Sequence, residues 1–228
     1  MPYGRVWCAL AILVSAASPA VRAGVTIDNF EEGPFSIKGP SPFSAWTSEG
    51  LNPANTLRGE RESNVQPAGV DGPVSASLTL TDADDGVAVT MTDPAAPNRL
   101  LLTYGWRIPL DYNVVATGLD YALVRLDEAP VGGTLGFSLR TYGPNREIYQ
   151  GTAERPITGP GDYVIPLLPF AGAGVSRSDV DMIQIELRDV MGAYRVSDVS
   201  FVPEPWATSL LAVASVALRR RGRSTCRR

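Results

Sequence analysis

The sequence predicts an all-β protein, an antiparallel sandwich or barrel through its middle, and three observations carry that prediction. Apolar and polar residues alternate with period two in one run after another between residues 24 and 202. Asp-Gly, Pro-Asn, Gly-Gly and Gly-Pro turn signals separate those runs. No stretch in that region carries an apolar stripe at i, i+3, i+4, i+7 over a helical length.

The elements follow in order. Val25–Phe30 and Leu57–Val65 read as early strands, with Asn52–Thr56 and Gln66–Pro73 as loops. Ser75–Thr81 and Gly86–Thr92 form the next pair. Asp82-Ala-Asp-Asp85-Gly86 joins them as a hairpin turn, since it lacks the twelfth-position glutamate of a calcium loop. Arg99–Trp106, Asp120–Asp127, Thr134–Tyr142, Asp162–Ile165, Asp181–Arg188 and Tyr194–Val202 complete the set. Many short strands at this spacing, with no internal repeat, mean a sandwich or a barrel.

The two ends are of another kind. Residues 1–23 carry Arg5, a 12-residue apolar run from Val6 to Ala17, and Val21 and Ala23 at the −3 and −1 positions, which is the pattern of a secretory signal peptide. At the other end, Val202-Pro203-Glu204-Pro205 precedes thirteen uncharged residues, Trp206–Leu218. Six arginines in the last ten positions follow, including Arg219, Arg220, Arg221 and Arg223. The apolar run is short beside the ~20 residues of a standard spanning helix. Its flanking charge orients the tail to the cytoplasm and the domain outside.

Between the ends, residues 24–202 hold 12 basic against 23 acidic residues, a net charge of −11. A domain this acidic repels nucleic acid, so no nucleic-acid partner is expected. The chain has no histidine, which excludes Ser-His-Asp and Cys-His catalysis and histidine-ligated zinc. Both cysteines, Cys8 and Cys226, lie in the end segments, so the central domain depends on its core for stability.

The C-terminal order of Pro203-Glu204-Pro205, a short hydrophobic helix and an arginine cluster resembles the PEP-CTERM sorting signal, over about the last 27 residues. That resemblance implies recognition by an exosortase, a transient inner-membrane anchor over residues 203–228, and delivery to the cell surface of an exopolysaccharide-making, Gram-negative-type cell. The prolines keep the motif extended and accessible to a processing enzyme.

A second resemblance spans most of residues 24–202. Ile27-Asp-Asn-Phe-Glu-Glu-Gly33, Gly59-Glu-Arg-Glu62, Gly118-Leu-Asp-Tyr-Ala-Leu-Val-Arg125 and Tyr194-Arg-Val-Ser-Asp-Val-Ser-Phe201 are similar to the punctuation of a galactose-binding-like jelly roll. It implies a jelly-roll β-sandwich whose first and last strands are neighbours. It also implies a structural calcium ion between them, held by Asp28, Glu31 and Asp198, whose hard oxygens suit that ion. The other reading of these residues is solvated turn carboxylates.

Alternation then assigns faces. Leu135, Phe137 and Leu139 belong to the core, and Ser138, Arg140 and Tyr142 oppose them. Ile183, Ile185 and Leu187 oppose Gln184, Glu186 and Arg188; Ala122, Val124 and Leu126 oppose Tyr121 and Arg125. Arg125, Arg140, Tyr142, Gln184 and Glu186 are therefore the candidate recognition surface. Planar arginine and glutamine donors suit pairs of hydroxyls, and tyrosine supplies a stacking plate. Trp46, Trp106 and Tyr149 either join them or pack in the core. Three functions compete: a non-catalytic module binding exopolysaccharide or another glycan, a matrix protein without a small ligand, and a glycosidase built on a carboxylate pair.

Overall fold

The computed structural model describes residues 24–32, 36–39, 44–67, 76–80, 87–91 and 97–204. Where the sequence alternates most cleanly, burial alternates with it: Leu135, Phe137 and Leu139 are buried, while Ser138, Arg140 and Tyr142 are only partly covered. The same holds for Ile183, Ile185 and Leu187 against Gln184, Glu186 and Arg188. β9 and β12 thus each turn one face to a shared interior, as a two-layer sandwich requires.

Thirteen strands occur among the described residues. They are β1 (Val25–Asp28), β2 (Ser36–Gly39), β3 (Ser44–Glu49), β4 (Glu60–Pro67), β5 (Ala76–Leu80), β6 (Val87–Met91) and β7 (Pro97–Tyr104), followed by β8 (Tyr121–Glu128), β9 (Thr134–Tyr142), β10 (Ile148–Pro156), β11 (Gly161–Pro166), β12 (Met182–Met191) and β13 (Tyr194–Val202). One sheet has seven strands in the order β11-β8-β13-β6-β5-β2, with β1 also paired to β13; the other has six in the order β10-β9-β12-β7-β4-β3. All pairings are antiparallel. From β6 onward the strands read β6-β13-β8-β11 in one sheet and β7-β12-β9-β10 in the other. Every connection there except β9 to β10 crosses between sheets. That is jelly-roll topology.

The first and last strands are neighbours, as expected, with Val25 opposite Phe201. The core between the sheets includes Leu100, Leu102, Phe137, Leu139, Ile183, Ile185, Val199 and Phe201, and Phe137 meets Phe170 edge to face at 6.2 Å between centroids. One polar cluster interrupts it. Arg61 and Asp28 are both 0% exposed, and Arg61 Nη1 donates to Asp28 Oδ2 at 2.6 Å. Tyr104 Oη, Phe30 N and Thr56 Oγ1 also donate to that carboxylate, at 3.0, 2.9 and 3.3 Å. Arg61 Nη2 reaches the Glu32 carbonyl at 2.9 Å, and its guanidinium lies 5.3 Å from the centre of the Phe30 ring. Arg61 of the Gly59-Glu-Arg-Glu62 segment is thus ion-paired with Asp28 across the core.

Three differences from the sequence reading have physical causes. β2, β3 and β10 were not expected as strands. β10 is an edge strand that shows little alternation, and its Gly151 packs beneath Phe170, where a Cβ would lie 2.7 Å from Cδ1. The Leu57–Val65 strand begins only at Glu60, because Leu57–Gly59 is a 3-10 turn with Arg58 and Gly59 at φ 61° and 69°. A Cβ on Gly59 would sit 2.4 Å from the Leu51 carbonyl oxygen, so glycine is required there. A four-residue helix, α1 (Val114–Thr117), is capped by Asn113, whose Oδ1 accepts from Ala116 N at 2.8 Å.

The signal peptide (1–23), the Asp82–Gly86 turn, Pro205, the Trp206–Leu218 segment and Arg219, Arg220, Arg221 and Arg223 lie outside the described residues. β5 and β6 pair antiparallel on either side of that turn, with Leu80 opposite Val87. Among the described residues no helix is long and apolar enough to cross a membrane. Val202 ends β13, and Pro203 and Glu204 follow it outside any strand.

Candidate functional site

The strand register turns the polar halves of β10, β9, β12, β7 and β4 into rows across the outer face of the six-stranded sheet. One row runs Thr152, Ser138, Gln184, Thr103, Glu62. The next runs Glu154, Gly136, Glu186, Leu101, Asn64, and beyond it Arg188 lies opposite Arg99. On the other side of the first row come Gln150 and Arg140, then buried Met182. The middle of this face is a hollow of about 290 Å³ with Gly136 in its floor row and Leu101, Gln184, Glu186 and Arg188 among its lining residues.

The polar groups that line the hollow are paired with one another or with their strand neighbours. Arg99 Nε donates to Glu186 Oε1 at 2.6 Å, and Arg188 Nη2 donates to Glu154 Oε1 at 2.9 Å. Arg140 donates to Gln150 Oε1 through Nη2 at 2.7 Å and Nε at 3.2 Å. Ser138 and Thr152 hydroxyls meet at 2.8 Å, and Gln184 Nε2 reaches Thr103 Oγ1 at 3.5 Å. The Glu154 hydrogen bond, then the Glu154 and Glu186 charges, push the Arg188 guanidinium still higher, so it stays charged. Partly exposed cross-strand pairs of this kind contribute about 0.2–1 kcal/mol each. A ligand can therefore exchange with them at small cost, which a buried pair such as Arg61–Asp28 would not allow. Two arginines balance two glutamates in the hollow, so the hollow attracts neither an anion nor a cation. Its donors and acceptors suit a ligand that both donates and accepts: a neutral, hydroxyl-rich one.

Of the five expected recognition residues, the structure brings four to this face. Gln184 and Glu186 line the hollow, Arg140 borders it, and Tyr142 lies two residues further on. Arg125 does not belong with them. It projects from β8 in the seven-stranded sheet and pairs with Asp162 across β11, Nε to Oδ1 at 2.8 Å. Alternation assigns each strand an inside and an outside, but the β8-to-β9 connection changes sheets, which alternation does not register. Arg99 and Glu154, the residues that hold Glu186 and Arg188, were missed. The signal for Arg99 was available, since it alternates with Leu100 and Leu102. Gly143–Arg146 is the tip of the β9–β10 hairpin, with Arg146 N donating to Gly143 O at 2.9 Å. Tyr149 lies on the opposite side of β10, against Gly174.

The calcium expectation is also corrected. Asp28 faces the core, where Arg61, Tyr104, Phe30 and Thr56 engage both its oxygens. Glu31 and Asp198 instead line a separate surface hollow of about 430 Å³ on the seven-stranded side, with Arg125 and Asp127. Burial pushes the Asp198 carboxyl up, against a hydrogen bond from Ser200 at 3.1 Å. Asp28 points into the core and is held there by Arg61, while Glu31 and Asp198 line the surface hollow, so the three carboxylates do not share one site. Among the described residues the one close trio of carboxylates is Asp111, Asp179 and Asp181, with oxygens within 4.8 Å of each other. Burial pushes Asp181 up; Tyr142 N, donating at 2.5 Å, draws it down, while Asp179 and Asp111 add to the rise.

A fixed bend closes one end of the polar face. Gly105 has φ 82°, and a Cβ there would meet the Asp181 carbonyl oxygen at 2.2 Å, so the chain turns in close contact with the residue just before β12. Leu110 N then donates to Asp181 O at 2.9 Å, and Arg58 Nε donates to Leu110 O at 3.0 Å. Arg107 reaches back over the sheet: its amide donates to Glu60 Oε1 at 3.4 Å and its guanidinium pairs with Glu49. Glu49 and Glu60 face each other on β3 and β4, in the row beyond Glu62. Between these anchors Trp106 is 55% exposed and Ile108 68%.

No protein-family model matches the chain, and no curated protein matches it. Among solved structures it is similar to a family 11 carbohydrate-binding module from Clostridium thermocellum in complex with a β-1,3-1,4-mixed-linked tetrasaccharide, at 10% identity over 81% of this chain and 98% of that one, with a TM-score of 0.40. It is also similar to the family 11 xylanase from Neocallimastix patriciarum, at 9% identity over 74% and 96%, with a TM-score of 0.34. A third is a carbohydrate-binding module, CBM28, specific for non-crystalline cellulose, at 14% identity over 71% and 87%, with a TM-score of 0.31. Two of these are binding modules and one is an enzyme.

Proposed function

We propose that this protein is an exported, non-catalytic β-sandwich of galactose-binding-like type that binds a neutral glycan, such as an exopolysaccharide, on the outer face of its six-stranded sheet. The observation that carries the reading is the charge-balanced hollow around Gln184, Glu186 and Arg188, with hydrogen-bonding groups of both kinds and weak internal pairing. The two carboxylates there are each tethered by a guanidinium, which favours binding over glycosidase chemistry. The test is affinity electrophoresis and calorimetry of the purified protein against xylan, galactan, dextran and hydroxyethyl-cellulose. Binding to at least one is expected. Gln184→Ala and Arg188→Ala should weaken it about tenfold, the loss of one or two hydrogen bonds, with the melting temperature lowered by no more than about 4 °C. No binding anywhere in the panel favours the matrix-protein reading, and turnover of a glycan favours the hydrolase.

The export route rests on the end segments. Val202, Pro203, Glu204 and Pro205 form the sorting motif, an exosortase is the processing partner, and the arginine tail remains cytoplasmic until the helix is removed. Mass spectrometry of the surface form should find a C-terminus near Pro203–Pro205. Recovery of Arg228 in that form would refute processing.

A further inference from the structure

We propose that Trp106 is the stacking platform of the glycan site, taking one face of a pyranose ring beside the hollow; this rests on the glycan-binding reading. Four observations lead to it. The hollow itself offers hydrogen bonds but no ring: Leu101 is the one large apolar side chain among its lining residues. A pyranose presents hydroxyls at its edge and C–H groups on its faces, so a site that meets only the edge leaves the apolar faces in water. The bend bearing Trp106 lies at the end of the same face, because Arg107 holds Glu60 and Glu49, which belong to its outer rows.

The bend is also rigid before any ligand arrives. Gly105 against Asp181 O, Leu110 N on Asp181 O and Arg58 on Leu110 O fix it on both sides. An indole left 55% exposed on a fixed backbone gains little from packing, yet it offers a large flat surface whose ordering cost is already met. Finally, Gln184, in the hollow, and Thr103 lie side by side, and Thr103 is three residues before Trp106 on the same chain segment. Hollow and indole are therefore neighbouring parts of one surface. The ligand that uses both is longer than a single sugar, since one ring stacks while rings further along it meet Gln184 and then Arg188.

The experiment uses the purified protein and whichever polysaccharide of the panel binds it, with tryptophan emission and calorimetry read together. Trp106→Ala should weaken binding about tenfold or more, and Trp106→Tyr should retain most of the affinity. Saturation of the unaltered protein should shift its emission to the blue, and the Trp106→Phe variant should lose that shift. If Trp106→Ala unfolds, the emission shift and the Tyr variant decide. Unchanged affinity in Trp106→Ala, or no emission shift, while Gln184→Ala and Arg188→Ala still weaken binding, overturns this inference and leaves the glycan site standing. Absence of any binding by the unaltered protein overturns both.

Discussion

Replacing Asp28 with alanine is expected to cost about 3–5 kcal/mol of folding stability, because it strands the Arg61 guanidinium in the core. Arginine keeps its proton under all ordinary conditions, so nothing relieves the stranded charge. Arg61→Ala should cost a similar amount at pH 8, but its cost should depend on pH. Burial already raises the Asp28 carboxyl above its ordinary 3.8, against the pull of Arg61, the Phe30 amide and Tyr104. Without Arg61 the folded-state pKa rises further above the unfolded one. A raised folded-state pKa contributes stability below the unfolded pKa, and that contribution is lost as pH rises through the folded value. Arg61→Ala should therefore recover part of its deficit as pH falls from 8 to 5, and Asp28→Ala should not. The double variant should cost clearly less than the sum of the two. Urea unfolding at the two pH values checks all of this, and equal pH responses of the single variants would refute the buried pair as described.

Phe137→Ala should cost about 3–5 kcal/mol as well, for a different reason. The ring is fully buried against Phe170, between Gly136 and Ser138, so it supports the hollow from below. Deleting it opens a cavity that the paired β9 and β10 backbones cannot collapse to fill. The backbone ladder still sets the outer rows, so glycan affinity should fall far less than stability. Ser138→Ala, one residue away on the outer side, should cost only about 0.5–1 kcal/mol with the loss of its bond to Thr152. Denaturation midpoints for the pair separate the two faces of a single strand. A Phe137→Ala loss below about 1 kcal/mol would mean that the ring is not a core element.

Much of this architecture was legible because the physics is local. Leu135, Phe137 and Leu139, or Ile183, Ile185 and Leu187, declare their inner face by alternation alone, and β9 and β12 fell where the pattern put them. β10 was illegible because an edge strand has little need of alternation, and its Gly151 serves a close contact with Phe170. The site divides in the same way. Arg140, Tyr142, Gln184 and Glu186 share a face because β9 and β12 are adjacent, but Arg125 follows the same rule of alternation into the other sheet. Asp28 shows a second limit. A carboxylate in an opening strand invites a metal, and nothing local reveals that Arg61, 33 positions on, already answers its charge.

The last strand lies in the middle of its sheet, with β8 on one side and β1 and β6 end to end on the other. In a chain that emerges N-terminus first, β1 must then wait for nearly the whole domain before meeting its strand partner. Until residues 194–202 arrive, β8 with β11 and β6 with β5 and β2 can form only as two half-sheets, each with an open edge where β13 will sit. Closing so long a span is slow by the entropy of the intervening chain. The fold is therefore completed from its centre, and by the stretch immediately before Pro203.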